Sequence, residues 1–239
     1  MPVVLWLWSE EREIELGQRQ AILRIVESYV VRRILTGDSV GEGIARNITG
    51  MLNAMQANLN TGQDPQEAAH IWIGMNQNEA TRWPSDDEVM DKISNHPHEM
   101  SATRRNMVLH ALESRLRIDN GQRPIGSTGF QTAILIPDGE IGLTNYPIEG
   151  RPTSVRLERR NRNVKQLGNF TLVNTNLTKR ERESAWEDKQ EALERRGRDI
   201  LLTQSILSPQ QTEFTEQDII NRSRRMAELC IAIWPREQE

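Results

Sequence analysis

Apolar residues recur every three or four positions along most of this chain, and that spacing predicts helices. In "GQRQAILRIVESYVVRRILTG", Ala21, Ile22, Ile25, Val26, Tyr29, Val30 and Ile34 share one helical face, and Gly37 supplies the stop. "EGIARNITGMLNAMQANLN" repeats the pattern with Ile44, Ile48, Met51, Leu52 and Met55. A third helix opens at "DPQEAAHIWIGMN", where Asp64 can accept a backbone N–H as N-cap and Pro65 occupies the first position, which needs no donor. Ser85 caps a fourth in "WPSDDEVMDKIS", and "SATRRNMVLHALESRLR" follows as a fifth. Later, "RERESAWEDKQEALERRGRDILL" reads as one charged helix. "TEQDIINRSRRMAELCIAIW" is the last, opened by the capping pair Thr215 and Asp218.

The period fails between Asn120 and Gly150, where Gly and Pro recur too densely for a helix. Inside that region "FQTAILIP" is short, apolar and bounded by breakers, so it predicts a strand; "NFTLVN" predicts a second, after a basic connection. The chain thus divides by composition into a helical subdomain, residues 1–119, and a part of different character, residues 120–239. The expected fold is mainly α, with a small two-strand element between helical subdomains.

Charge sharpens this picture by position, not by total. The formal net charge of −4 gives no global sign of nucleic-acid binding. Yet "RPTSVRLERRNRNVK" sets Arg151, Arg156, Arg159, Arg160, Arg162 and Lys165 against Glu158 alone. Such a patch between two strands suits backbone phosphates, the plainer alternative being a solvated surface loop. The lone Cys230 has no disulfide partner, which fits a reducing, cytoplasmic setting. No stretch has the apolar length of a membrane span. In "MPVVLWLWSEEREIEL" there is no basic leader, and Trp6 and Trp8 belong in a core, so the chain is expected to continue from a preceding domain. His96 and His98 in "NHPHE" lack further ligands at metal spacing and read as a surface turn; His70 and His110 read as structural.

One stretch goes further. "VKQLGNFTLVNTNLTKRERESAWEDK" resembles the C-terminal nuclease domain of GmrSD-type restriction endonucleases, a branch of the HNH (His-Me finger) nucleases, through Leu167, Gly168, Asn169, Phe170, Thr171, Leu172, Val173, Trp186 and Lys189. "FTEQDIINRSRRMAELCIAIWP" resembles that family's closing helix, and "ILRIVESYVVRRILTG" the passage from its ParB-like N-terminal NTPase domain. The resemblance implies a ββα-metal element, DNA as substrate, an NTPase or sensor domain of the same parent protein as partner, and metal-dependent strand nicking in anti-phage defence with Mg²⁺ or a similar cation.

In that chemistry a histidine on the first strand deprotonates water and an asparagine on the second orients it. Asn169 fits the second role. "QTAILIP" has no histidine: alignment on Ile-Leu puts Ala133 in its place, and alignment on Pro137 puts Ile134 there. Ala133 is the position taken for the base, with natural loss and a deliberate His-to-Ala replacement both open. For the metal, the family count lands on Thr178, with Asn174 and Asn176 just before it and Asp138 and Glu140 the nearest carboxylates. Arg151, Arg156, Arg159, Arg160, Arg162, Lys165, Arg180 and Lys189 are the DNA-contact candidates. As written, the chain is expected to be inactive or nearly so. The alternative is a catalytically inactive DNA-binding or regulatory module that docks on an NTPase partner.

Overall fold

The computed structural model describes residues 2–9, 12–75, 78–98, 100–126, 129–148, 150–208 and 211–236. Helix makes up 63% of the chain and, among the described residues, the strands form one two-stranded sheet, so the expectation of a mainly α fold holds. Two compact units are present: residues 1–89 with 234–239, and residues 90–233.

The first unit contains α1 (Pro2–Leu7), α2 (Leu16–Thr36), α3 (Glu42–Asn60) and α4 (Pro65–Gly74). Its helices end where their chemistry says they should. Gly37 takes the left-handed conformation that closes α2, and the Asp64 side chain accepts the Gln66 N–H at the start of α4. Ile22, Ile25, Val26 and Tyr29 of α2 pack with Met51 and Met55 of α3 and Ile73 of α4. α3 and α4 approach closely at Gly50, where any Cβ would fall 2.3 Å from the Trp72 ring.

In chain order, α5 (Asp86–Asn95) comes next; its last residues open the second unit, followed by α6 (Ala102–Asp119), β1 (Gln131–Ile134), α7 (Gly139–Asn145), α8 (Ser154–Asn163), a 3-10 turn (Leu167–Asn169) and β2 (Phe170–Val173). Then come α9 (Lys179–Glu183), α10 (Trp186–Arg196), α11 (Leu201–Gln204) and α12 (Glu216–Ile233). Both strands lie where alternation and breakers place them. They pair antiparallel, with Gln131, Thr132, Ala133 and Ile134 opposite Val173, Leu172, Thr171 and Phe170. α6 packs within this unit, against both strands, α11 and α12. The compositional break at 119/120 and the contact division at 89/90 are therefore different boundaries.

Three local features depart from expectation. α7 forms inside the Gly- and Pro-rich region because Gly142 lets the helix pass within 1.9 Å, measured from an ideal Cβ, of the Pro137 carbonyl. The basic connection is itself helical: Thr153 accepts the Arg156 N–H and starts α8. The long charged helix is broken at Ser184 and Ala185, both extended. Side chains from elsewhere take the carbonyls this break exposes: Lys189 reaches Arg182, Asn145 reaches Glu183 and the Tyr146 hydroxyl reaches Ser184.

Candidate functional site

The end of β1 is held from three sides. Asn169, the last residue of the 3-10 turn before β2, is fully buried. Its Oδ1 accepts the Ile136 N–H at 2.8 Å, and its Nδ2 donates to the Ile136 carbonyl at 2.8 Å and to the Val164 carbonyl at 2.6 Å. The Leu135 N–H donates to the Asn169 carbonyl, and Lys189 Nζ donates to the Leu135 carbonyl at 2.6 Å. Every backbone polar group of Leu135 and Ile136 is thereby bonded through Asn169 or Lys189. With those bonds made, the Asn169 amide has no donor left for an imidazole. What its side chain holds is the backbone just beyond position 134, so any hold on a side chain of β1 passes through that backbone.

Gly168 and Arg222 hold the other strand. An added Cβ at Gly168 would sit 2.2 Å from the Ile219 carbonyl of α12, so only glycine allows the strand entry to lie on that helix. Arg222, buried in α12, donates to the carbonyls of Gly168 at 2.7 Å, Phe170 at 2.5 Å and Leu202 at 3.2 Å. Burial pulls its guanidinium down to about 9, with Arg225 adding to the effect. The run of arginines in this helix hides the fact that one of them is interior; its signal is its place next to Ser223, whose hydroxyl accepts from the Gly168 N–H.

The positions where reacting groups are expected look different. Successive side chains of a strand point to opposite faces. Ala133 is 4% exposed and packs into the core with Trp186 and Leu193, whereas Ile134 is 40% exposed. Between the two registers for the missing base, only position 134 opens to solvent. Arg105 of α6 lies 4.0 Å above the ring of Phe170, the cross-strand partner of Ile134, so a cation that the sequence did not single out neighbours this position.

A divalent cation is what the resemblance implies, and the residues present do not fit one. Thr178 is the N-cap of α9, its hydroxyl accepting from Glu181 N–H and its own N–H donating to the Glu181 carboxylate. Asn174, Asn176 and Asp138 are exposed. Positions 133 and 134 carry no ligating atom, and among the described residues no three His, Cys, Asp or Glu side chains converge as a metal-binding group.

The basic candidates separate into two sets. Arg160 is buried, ion-paired with Glu216 at 3.3 Å and bonded to the carbonyls of Gly142 and Tyr146, so it braces α7 and is withdrawn as a DNA contact. Lys189, 0% exposed, is withdrawn for the same reason; burial lowers its ammonium to about 7. Arg156, Arg159 and Arg162 recur every third residue along α8 and are exposed, as are Arg151, Lys165 and Arg180. α8 ends at Val164, whose carbonyl Asn169 holds, so this basic helix is tied directly to the strand pair. His98 is buried, not on a surface turn, and burial lowers it to about 4; His96 is exposed and pairs with Asp91.

The family model for the GmrSD restriction endonucleases, C-terminal domain, matches residues 149–229. This segment is similar to that family's C-terminal domain. The match points to a restriction-endonuclease-type function, for which DNA is the substrate. It takes in α8, β2 and α9 to α11 with most of α12, while β1 precedes it. No curated protein and no solved structure matches the chain. No helix among the described residues is long and apolar enough to cross a membrane.

Proposed function

We propose that this chain is a DNA-engaging module of a restriction endonuclease, built on the HNH-type ββα scaffold of the GmrSD C-terminal domain, in which the cleaving residues have been replaced. Its place is defence against foreign DNA in the cytoplasm, alongside an NTPase or sensor domain of the same parent protein. DNA is held through backbone phosphates by Arg156, Arg159 and Arg162, with Arg151, Lys165 and Arg180 at the margins. The observation that carries this reading is the two-sided build of α8: Arg160 and Asn163 are buried and bonded to Glu216, while three arginines at i, i+3 and i+6 stay exposed.

A scaffold of this kind needs a proton acceptor at the first strand's exit. Ile134 cannot accept a proton, and Ala133 supplies neither a base nor a ligand. Binding without cleavage follows. The metal-dependent nicking of the wider family is the second reading; it draws on the fully bonded backbone at Leu135 and Ile136, the rigid support that such a site requires.

Titration of the full chain with a short duplex at several salt concentrations tests the proposal. Affinity should fall steeply with salt, and replacing Arg156, Arg159 and Arg162 together with Ala should lower the magnitude of the log–log slope by roughly 3, near one per phosphate contact. Salt-independent affinity, or metal-dependent nicking by the unaltered chain, would overturn it.

A further inference from the structure

Between α6 and β1 lies a cavity of about 680 Å³, within the size range of small-ligand sites. It is lined by His110, Asn106, Met107, Ile125, Gln131 and Thr132, among others. No Lys, Arg, Asp or Glu is among its described lining residues. Polar atoms are nonetheless left there without partners: His110 Nδ1 and Nε2, Asn106 Oδ1 and Thr132 Oγ1 are all buried and unbonded. Buried polar atoms are ordinarily paired, because each orphan costs the desolvation it has undergone. Here the four belong to three residues that line one cavity, lying just beneath its surface, where a side-chain rotation would bring them to an occupant; two separate elements supply them.

We propose that this cavity binds an uncharged nucleobase, either extruded from DNA or presented as a free nucleoside. The donor and acceptor inventory supports that class. Asn106 Oδ1 only accepts, Thr132 Oγ1 does both, and a neutral imidazole offers one donor and one acceptor, so the occupant must carry both kinds of group on a short perimeter. Burial lowers the pKa of His110, against a smaller opposing effect of Glu113, which keeps the ring neutral. A charged ligand finds no counter-ion in the lining, whereas a flat heterocycle finds apolar surface in Met107 and Ile125 and the ring of His110, set edge-on to Phe130. Thr132 also shares its strand face with Ile134, which opens beside Arg105, so a base entering the cavity would come from a backbone passing that cation. Only the extruded-base source rests on the DNA reading above.

The test uses the full chain and two probes. Free deoxyadenosine, deoxycytidine, deoxyguanosine and thymidine are titrated at millimolar concentrations with ligand-detected NMR, and a duplex carrying 2-aminopurine reports unstacking of a base by its fluorescence. At least one nucleoside should bind, or the fluorescence should rise on complex formation. Thr132→Val, which removes only the hydroxyl, and His110→Phe, which keeps the ring and its packing, should each weaken that signal about tenfold or more, the scale of one lost buried hydrogen bond. Melting temperatures of both variants establish that they fold. The triple Arg156→Ala, Arg159→Ala, Arg162→Ala variant should lose DNA binding and keep nucleoside binding, which separates failure of the DNA reading from failure of this one. A fluorescence rise without nucleoside binding assigns the base to DNA, and the reverse assigns it to a free nucleoside. A chain that binds DNA normally, leaves 2-aminopurine stacked and ignores all four nucleosides overturns the proposal, as do folded Thr132→Val and His110→Phe variants with unchanged binding.

Discussion

Two neighbouring stretches at the exit of β1 have been treated very differently. At Leu135 and Ile136 every backbone donor and acceptor is bonded, by Asn169 or by Lys189. One and two residues earlier, at the two positions where the resemblance would put the general base, stand Ile134 and Ala133. The contrast teaches that the recurring residues of the motif do mechanical work. Asn169, Gly168 and Lys189 satisfy buried backbone or permit close packing, and each would be missed by the fold whether or not DNA were ever cut. The reacting side chains are supported by that frame and do not support it, so they can be lost without unfolding it.

The sharpest way to break the comparison is to remove the frame. Asn169→Ala leaves the Ile136 N–H and the carbonyls of Ile136 and Val164 without partners in a closed interior. At about 1–3 kcal/mol for each orphaned group, with partial relaxation, the expected loss is roughly 3–5 kcal/mol, read from urea unfolding followed by far-UV circular dichroism. A loss below about 1 kcal/mol would mean that these bonds do not hold the strand exit.

A smaller effect comes from proton linkage at Lys189. Burial lowers its folded pKa from 10.5 to about 7, so between those values the unfolded chain binds more protons than the folded one. Stability contributed at this site therefore rises as pH climbs from about 7 to about 10.5 and is flat below 7. The neutral amine still has two N–H groups, enough for the Leu135 and Arg182 carbonyls. Denaturation midpoints taken across this window should rise, and Lys189→Met, less stable throughout, should show a shallower rise. Parallel curves for the two proteins would remove Lys189 as the source.

Much of this was legible in the chain. The helices of the first unit announce themselves through period and caps, and both strands through breakers, because those signals are local. Asn169 was legible as a position but not in its action, since nothing near it in sequence reveals that Ile136, 33 residues earlier, is its partner. Lys189 and Arg160 read as surface cations for the same reason: charge is visible in a sequence and burial is not. The break at Ser184 depended on acceptors met only in three dimensions, by Asn145, Tyr146 and Lys189. Position 134 was one of two alignments, and which of the two is exposed emerged only once β1 was paired.

That alternation gives the comparison its finest test, a histidine placed at each candidate position in turn. At Ala133 the ring must enter a core already filled by Trp186 and Leu193, and overpacking of this kind costs about 1–3 kcal/mol. At Ile134 it stands in solvent beside Arg105 and should change stability by no more than about 0.5 kcal/mol. Activity should follow exposure as well. Ile134→His, assayed with supercoiled plasmid and Mg²⁺, is the variant expected to gain any nicking, and Asn169→Ala in the same background should abolish it by releasing the backbone that aims the ring. If Ala133→His nicks while Ile134→His does not, the buried register is the catalytic one, and the inference from exposure to role fails at the strand where it is most directly drawn.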